Sequence, residues 1–486
     1  GIDFFQAENE FVDFKLESLL SWQLSKQGPK LSKGDVNGDG LEDVFIGAPK
    51  GGKACLYLQT QNGQFRSATS QPWQQENNCD QVQSVFFDAD NDKDLDLYIV
   101  NGGNENEDRS AYQDKLYLND GKAGYKLSKD ALPAMLTSKS CVSVADYNSD
   151  GKPDIFVGGR LVRGAYGITP ISYLLQNQSG NGVVKFADVA ATIAPSLQYA
   201  GMITSSVWTD LNKDQLPDLL IAGEWMPVKI FINKGNKLIE QTNEYGLQQS
   251  NGLWTCMIPA DIDSDGDEDF LLGNLAPNTQ FKASVEKPMS LYVNDFFRLG
   301  KITPMLFYYI GDRSYPYASR NELLEDMPML KSKFYYYKNY AAADFNTIFT
   351  SEQQKGKLEL KANELENCWL ENTGKGKLLL HRLPAALQFS PIQGAVSIDV
   401  NRDGVKEIFT AGNFYPFRVQ LGREDAGKGV LLQWDKIKHQ LVISDLEMGV
   451  YTDGDIRDVL AVQTSRQEPI IIISKNNDRV QVIKTK

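Results

Sequence analysis

The sequence predicts an all-β fold of the propeller type, and three observations carry that expectation. A nine-residue acidic loop recurs six times along the 486 residues, an apolar strand follows every copy, and the copies are spaced as a four-stranded sheet requires.

The first copy is Gly34-Asp-Val-Asn-Gly-Asp-Gly-Leu-Glu-Asp43, running into Val44-Phe-Ile-Gly47. Asp35, Asn37, Asp39 and Asp43 place side-chain oxygens at loop positions one, three, five and nine, and Leu41 offers its carbonyl at position seven. This is hard-cation spacing, because calcium takes about six to eight oxygens in flexible geometry, backbone carbonyls among them. A phosphate loop would need a Gly-rich turn with Lys and Ser or Thr. An EF-hand would need a bidentate Glu at its twelfth position, where this chain has Ile46. The apolar run behind the loop reads as a short buried strand, so the loop sits on a sheet.

Five further copies give the same positions one, three, five, seven and nine: Asp88, Asp90, Asp92, Asp94 and Asp96; Asp146, Asn148, Asp150, Lys152 and Asp154; Asp210, Asn212, Asp214, Leu216 and Asp218; Asp261, Asp263, Asp265, Asp267 and Asp269; Asp399, Asn401, Asp403, Val405 and Glu407. Their first acids stand at 35, 88, 146, 210, 261 and 399, intervals of 51 to 64 residues before a gap of 138. Such a period suits a blade of four strands. A third strand recurs as Leu56-Tyr-Leu, Leu116-Tyr-Leu-Asn, Tyr173-Leu-Leu-Gln-Asn and Ile230-Phe-Ile-Asn, and a fourth returns toward the next repeat. In the tail, Gly454-Asp455-Ile-Arg-Asp458 reads as a loop remnant, with strands at Pro469 to Ser474 and Arg479 to Lys486. That unit is a strand short, and the Phe4 to Phe14 region is expected to supply it and so remove the last open sheet edges. The whole chain, 1–486, reads as one propeller domain.

The 138-residue interval holds the irregular part. Leu291-Tyr-Val-Asn-Asp295 reads as a third strand, and residues 296–366 as an insertion. Within it Ser319-Arg-Asn-Glu322 is a capping box opening a helix with Leu323, Met327, Leu330 and Phe334 on one face. Cys368-Trp-Leu-Glu-Asn resumes the blade pattern; a diverged eighth blade is the alternative to an insertion.

Composition narrows the function classes. The balance of 63 acidic against 50 basic residues argues against nucleic acid as a partner. Apolar runs such as Pro469 to Ile473 fall far short of the roughly 18 residues a membrane helix needs. The five cysteines are too scattered for a disulfide scaffold; Cys55 and Cys79 are near enough to pair or to stay free, while Cys141 and Cys256 read as small core residues. Six divalent ions would bring the formal charge of −13 to about −1. Without them, three or four carboxylates per loop would repel one another within a few ångströms. The loops therefore read as structural sites that lock a turn between two strands, with up to six Ca2+, and magnesium suits them less because it demands stricter octahedral geometry.

The Asp-x-Asn-Gly-Asp-Gly loop followed by Val44-Phe-Ile-Gly-Ala-Pro49 resembles the FG-GAP, or VCBS, repeat of integrin α subunits and many bacterial surface proteins. Tyr112-Gln-Asp-Lys-Leu-Tyr-Leu-Asn-Asp, Phe156-Val-Gly-Gly-Arg, Gly223-Glu-Trp-Met-Pro and Gly412-Asn-Phe-Tyr are similar to the bacterial branch related to cartilage acidic protein. The resemblance implies a seven-bladed propeller with calcium in its blade loops, exported to the cell envelope, cell surface or periplasm and active in binding or adhesion; the signal segment of such a protein is absent from this chain. Three departures stand out: Glu407 in place of Asp, the ligand-poor stretch at Asp455, and Asp295-Phe-Phe-Arg-Leu-Gly300, a decayed loop with Phe297 and Leu299 in place of ligands. No metal is expected at the last two.

No catalytic signature emerges. His381 and His439 are the only histidines and read as ordinary strand-end and turn residues; no zinc-type cluster and no Gly-x-Ser-x-Gly elbow is present. Carboxylate pairs for glycoside chemistry stay open as an alternative, a carbohydrate-active enzyme on a propeller scaffold. The expected function is a non-catalytic, monomeric binding module for a protein or glycan. Tyr315, Tyr317, Tyr335 to Tyr337 and Trp225 are read as packing of the insertion or as a ligand platform.

Overall fold

The computed structural model describes residues 1–75, 77–446 and 449–484, and these form eight antiparallel sheets. Six are four-stranded, one has five strands and one has three. Seven begin with a strand leading toward the loop face of the fold: Leu31–Gly34, Asp80–Phe87, Ser138–Ala145, Met202–Thr209, Cys256–Ala260, Gly394–Ile398 and Asp455–Gln463. Each of these first strands touches the next, and the last touches the first, so the seven make a closed circuit. Apolar residues from neighbouring sheets interleave between them; Val100, Leu116, Ile155 and Leu175 meet in one such layer, and Leu220, Ile230, Phe270 and Leu370 in another. Among the described residues no helix is long and apolar enough to cross a membrane.

The eighth sheet lies outside that circuit. It is built from Met289–Asn294, Thr303–Ile310, Arg313–Pro316 and Leu358–Ala362, inserted between the second and third strands of the fifth sheet. This corrects the expectation for Leu291 to Asp295: the third strand of the fifth sheet is Cys368–Asn372, which pairs with Asp269–Gly273, and Leu291 instead pairs with Leu306 and Leu360. The capping box at Ser319 and Glu322 forms in full, but its helix spans only Arg320–Asp326, because Pro328 cannot continue it. Met327, Leu330 and Phe334 still join Leu323 in a buried cluster, now carried by a 3-10 turn and a bend.

The tail also differs from its sequence reading. Asp455 does not open a loop; it is the first residue of the strand Asp455–Gln463 and pairs with Arg457 at 2.7 Å. Asp455–Gln463, Pro469–Asn476 and Gln481–Lys484 make the three-stranded sheet, the last two expected residues of its outer strand lying outside the described residues. Of the stretch Phe4 to Phe14, only Phe5 bridges that sheet, opposite Arg479, with Val480 N–H donating to the Phe4 carbonyl and Gln6 N–H to that of Asp478. Ile2 and Phe4 pack between the last sheet and the first.

Residues after Phe11 become a strap across the end of the ring opposite the acidic loops. Asp13 accepts from Ser25 and Asn104, Glu17 accepts from the Tyr166 backbone, and Trp22 bridges Phe417. Arg418 donates to the carbonyls of Ser18 and Leu20 and pairs with Glu322, tying strap to inserted unit. Beneath the strap a cavity of about 90 Å³ remains on the ring axis, bounded by Lys30, Val82, Ser140, Thr204, Thr255 and Arg457 at the starts of six first strands. Beside it Arg160 holds Glu224 through both guanidinium nitrogens, at 3.0 and 2.5 Å, and Tyr166 donates to the same carboxylate while accepting from Trp225.

Candidate metal sites

All six acidic loops follow one backbone course. Each joins the first strand of a sheet to the second, and the closing pair of every hairpin ends on position nine: Gly34 with Asp43, Phe87 with Asp96, Ala145 with Asp154, Thr209 with Asp218, Ala260 with Asp269, Ile398 with Glu407. Positions four and six are left-handed in every copy, at Gly38 and Gly40, Asn91 and Lys93, Ser149 and Gly151, Lys213 and Gln215, Ser264 and Gly266, Arg402 and Gly404. Non-glycine residues at positive φ are uncommon, so their repeated presence at the same two positions marks a turn held by its side chains. At Asp35, Asp88, Asp210 and Asp399 the holding group shown by hydrogen bonds is position one. Asp35 accepts from Gly38, Asp39 and Gly40; Asp88 from Asn91, Asp92 and Lys93; Asp210 from Asp214 and Gln215; Asp399 from Asp403 and Gly404. The same turn survives at Asp295, which accepts from Leu299 and Gly300 although Phe297 and Leu299 have replaced the oxygen donors.

Position nine does something its spacing alone did not suggest. In Asp43, Asp96, Asp218 and Asp269 one carboxylate oxygen accepts from the backbone of loop position two, and the other accepts from the end of the third strand. These carboxylates are buried and bind three chain segments together. A carboxylate has about four lone-pair sites, so a cation could share them. The third-strand partner is an asparagine in most sheets, and its side chain reaches further. Asn119 Nδ2 donates to the Val36 carbonyl, Asn177 to Ala89 and Asn233 to Tyr147, each the second loop residue of the preceding sheet. The recurring Asn after Leu-Tyr-Leu, Leu-Leu-Gln and Ile-Phe-Ile was the signal for this cross-brace.

The donor set fits a hard cation. Carboxylate oxygens of Asp88, Asp90 and Asp96 gather within 4.8 Å of one another, as do those of Asp261, Asp263 and Asp265. These two loops are the ones with an aspartate at position seven. There Asp94 keeps one buried oxygen without a hydrogen-bond partner, and Asp267 takes an ion pair from Lys213 of the neighbouring loop. Burial foremost, then like charge, pushes Asp94 up to about 6. Burial likewise raises Asp43 and Asp218 to about 6 and Asp96, Asp154 and Asp269 to about 7, against the backbone N–H groups that lower them. A divalent ion among these oxygens would favour their ionised forms and relieve the repulsion. The side chains of Lys152, Leu216 and Val405 bring no oxygen at position seven, leaving only their carbonyls for that role, as for Leu41.

The remaining residues singled out by sequence divide. Trp225 is buried, Tyr315 and Tyr317 are half-buried, and Tyr335, Tyr336 and Tyr337 are 60–65% exposed. Cys141 and Cys256 are buried, and Cys55 and Cys79 are free thiols. His381 and His439, far apart in sequence, line one groove between the fifth and sixth sheets.

A family model described as an FG-GAP-like repeat matches residues 35–99, 88–157 and 210–272. A search of curated proteins finds no match. Among solved structures, BBS1N in complex with ARL6DN is 10% identical, with 96% of this chain and 94% of that chain covered at a TM-score of 0.43. The V. cholerae biofilm matrix protein Bap1 is 9% identical, with 99% and 91% covered at 0.38, and the Dos1 propeller is 10% identical, with 96% and 94% covered at 0.42. With three repeats matched and its sheets closing into a ring, the chain is a β-propeller protein carrying FG-GAP-like repeats.

Proposed function

We propose that this protein is a calcium-stabilised, non-catalytic, monomeric binding module that presents its inserted unit to a protein or glycan at the cell envelope or outside the cell. The propeller is read as seven blades, with the eighth sheet as an appendage. The observation that carries the binding reading is the cluster Tyr335, Tyr336 and Tyr337, three consecutive rings left in solvent on the inserted unit. Exposed aromatics of this kind mark interaction surfaces, since tyrosine supplies large contact area at low entropic cost. Arg320 lies 4.6 Å from the Tyr337 ring centre and Lys338 5.7 Å from that of Tyr336, which makes the patch basic on an otherwise acidic chain. The external location and the occupancy of the loops by calcium rest on the resemblance of the loops and on their oxygen donors.

The test is an array of glycans and extracellular proteins probed with the wild type and a variant carrying serine at 335, 336 and 337, in calcium and after chelation, and read also for new reducing or unsaturated ends. Binding that the variant loses, at an unchanged melting midpoint, supports the reading. A variant that keeps every array signal of the wild type, or cleavage of a glycan, overturns it, whereas a neutral glycan retained beside a lost signal belongs to another surface. A carbohydrate-active enzyme is the second reading, favoured by the acid and imidazole groups that share the groove between the fifth and sixth sheets.

A further inference from the structure

The groove between the fifth and sixth sheets measures about 710 Å³, within the roughly 300–1,000 Å³ of small-molecule sites. Its walls are the outer strands of both sheets, Leu378–Arg382 on one side and Gln440–Ile443 on the other. The floor is aromatic. Trp369 is buried, the His381 imidazole stacks on it at 4.9 Å, and Trp434 meets it edge-on at 5.7 Å. His381 Nε2 lies 2.6 Å from Glu371 Oε2, an interaction that fixes the ring plane, yet the imidazole is 40% and the carboxylate 29% exposed. These groups are held in place and still open to solvent, unlike ordinary packing between sheets.

We propose that this groove binds a neutral oligosaccharide. A pyranose ring has an apolar face of C–H groups that stacks on an aromatic ring, and an edge of hydroxyls that donates to carboxylates and exchanges hydrogen bonds with amides. The groove supplies both, with His381 and Trp434 as platforms and Glu371 and Gln440 as polar partners. Its charge selects against acids. Among the described residues Arg382 is the arginine in the lining, and Glu364 and Glu366 already engage it at 3.1 and 3.2 Å, whereas Glu371 would face any anionic ligand. This is a second site, distinct from the tyrosine patch, and it deepens the binding reading by naming a ligand class.

Because the chain has only two histidines and both line the groove, their imidazole resonances report on it without ambiguity. Histidine-labelled full chain in calcium is titrated with cellohexaose, xylohexaose and mannohexaose, each to about 5 mM, and separately with trigalacturonate and a tyrosine-containing acidic peptide. The expected result is a saturable shift of both signals with at least one neutral hexasaccharide, weakened at least about tenfold in Trp434→Ala. Gln440→Ala, at the exposed start of the outer strand Gln440–Ile443, serves if Trp434→Ala fails to fold. Unmoved signals with all three neutral sugars, or shifts only with the uronate or the peptide, overturn the proposal. A glycan that binds on the array while both histidine signals stay still removes the groove and leaves the binding reading standing.

Discussion

Asp96→Asn separates two roles that the same carboxylate holds. Asp96 is 1% exposed; its Oδ2 accepts from Ala89 N–H and its Oδ1 from Asn119 N–H, both at 2.8 Å. Asparagine keeps one acceptor and turns an amide donor toward the other N–H, so one charge-assisted hydrogen bond is lost and a buried donor is orphaned, costing about 2–3 kcal/mol. For a chain of this length unfolding as a unit, with about 2.1 cal/mol/K of entropy per residue, that lowers the midpoint by about 2–3 °C. Asp90→Asn is the control: position three contributes oxygen to the cluster but does not clamp the third strand. Thermal and urea unfolding of both variants, with calcium and after exhaustive chelation at pH 8, make the assay. Asp96→Asn is expected to cost stability in both conditions, and Asp90→Asn only in calcium. If the two variants behave alike after chelation, the backbone-clamp account of position nine is wrong.

Three further outcomes follow from buried ionisable groups. After chelation, stability should fall as pH rises from about 4 to about 7, because Asp43, Asp96, Asp154, Asp218 and Asp269 hold protons in the fold that the unfolded chain, with carboxyls near 3.8, has already released; calcium should flatten that slope, and a urea midpoint that climbs through the same window contradicts it. Glu17→Gln should stabilise by about 1 kcal/mol above pH 7 and less at pH 5, since burial pushes Glu17 up to about 7, its Oε2 has no hydrogen-bond partner, and neither does Oδ1 of the adjacent Asn104. Equal effects at both pH values in urea titrations would count against this. Glu224→Gln should cost about 3–5 kcal/mol by leaving the Arg160 guanidinium without its buried counter-charge, and the double change to Met at 160 and 224 should recover most of it in the same measurement.

The acidic loops were legible because their chemistry is local. Oxygens at alternate positions followed at once by an apolar run are visible within nine residues, and the second strands begin where that pattern places them. What escaped depends on partners distant in sequence. Nothing near Asp43 announces that its second oxygen will be taken by Gln59, and the asparagine cross-braces join residues 83 to 88 positions apart. Asp455 resembled a loop because an acid and a glycine stood together; Arg457, two residues on along the same strand, lets it lie inside a strand. Leu291 had the apolar pattern of a third strand, and only pairing with Leu306 and Leu360 reveals that it founds a separate sheet. The two histidines looked ordinary one at a time, since their meeting depends on two sheets packing side by side.

The bridge between Phe5 and Arg479, with the strap behind it, bears on how the molecule is made. Residues near the start of the chain find their partners at Pro416 to Arg418 and Asp478 to Val480, more than 390 residues later. During synthesis, at about 5–20 residues per second, the leading segment therefore spends tens of seconds with Phe5 and Trp22 short of their bridging partners. Sheets can stack in order as they emerge, but the strap must wait for Pro416 to Arg418 and the seam for Asp478 to Val480. A chain cut before residue 478 would leave the edge of Pro469–Asn476 bare and Phe4 to Gln6 without a strand to bridge, so residues 478–484 decide whether Phe4 to Gln6 become part of the fold.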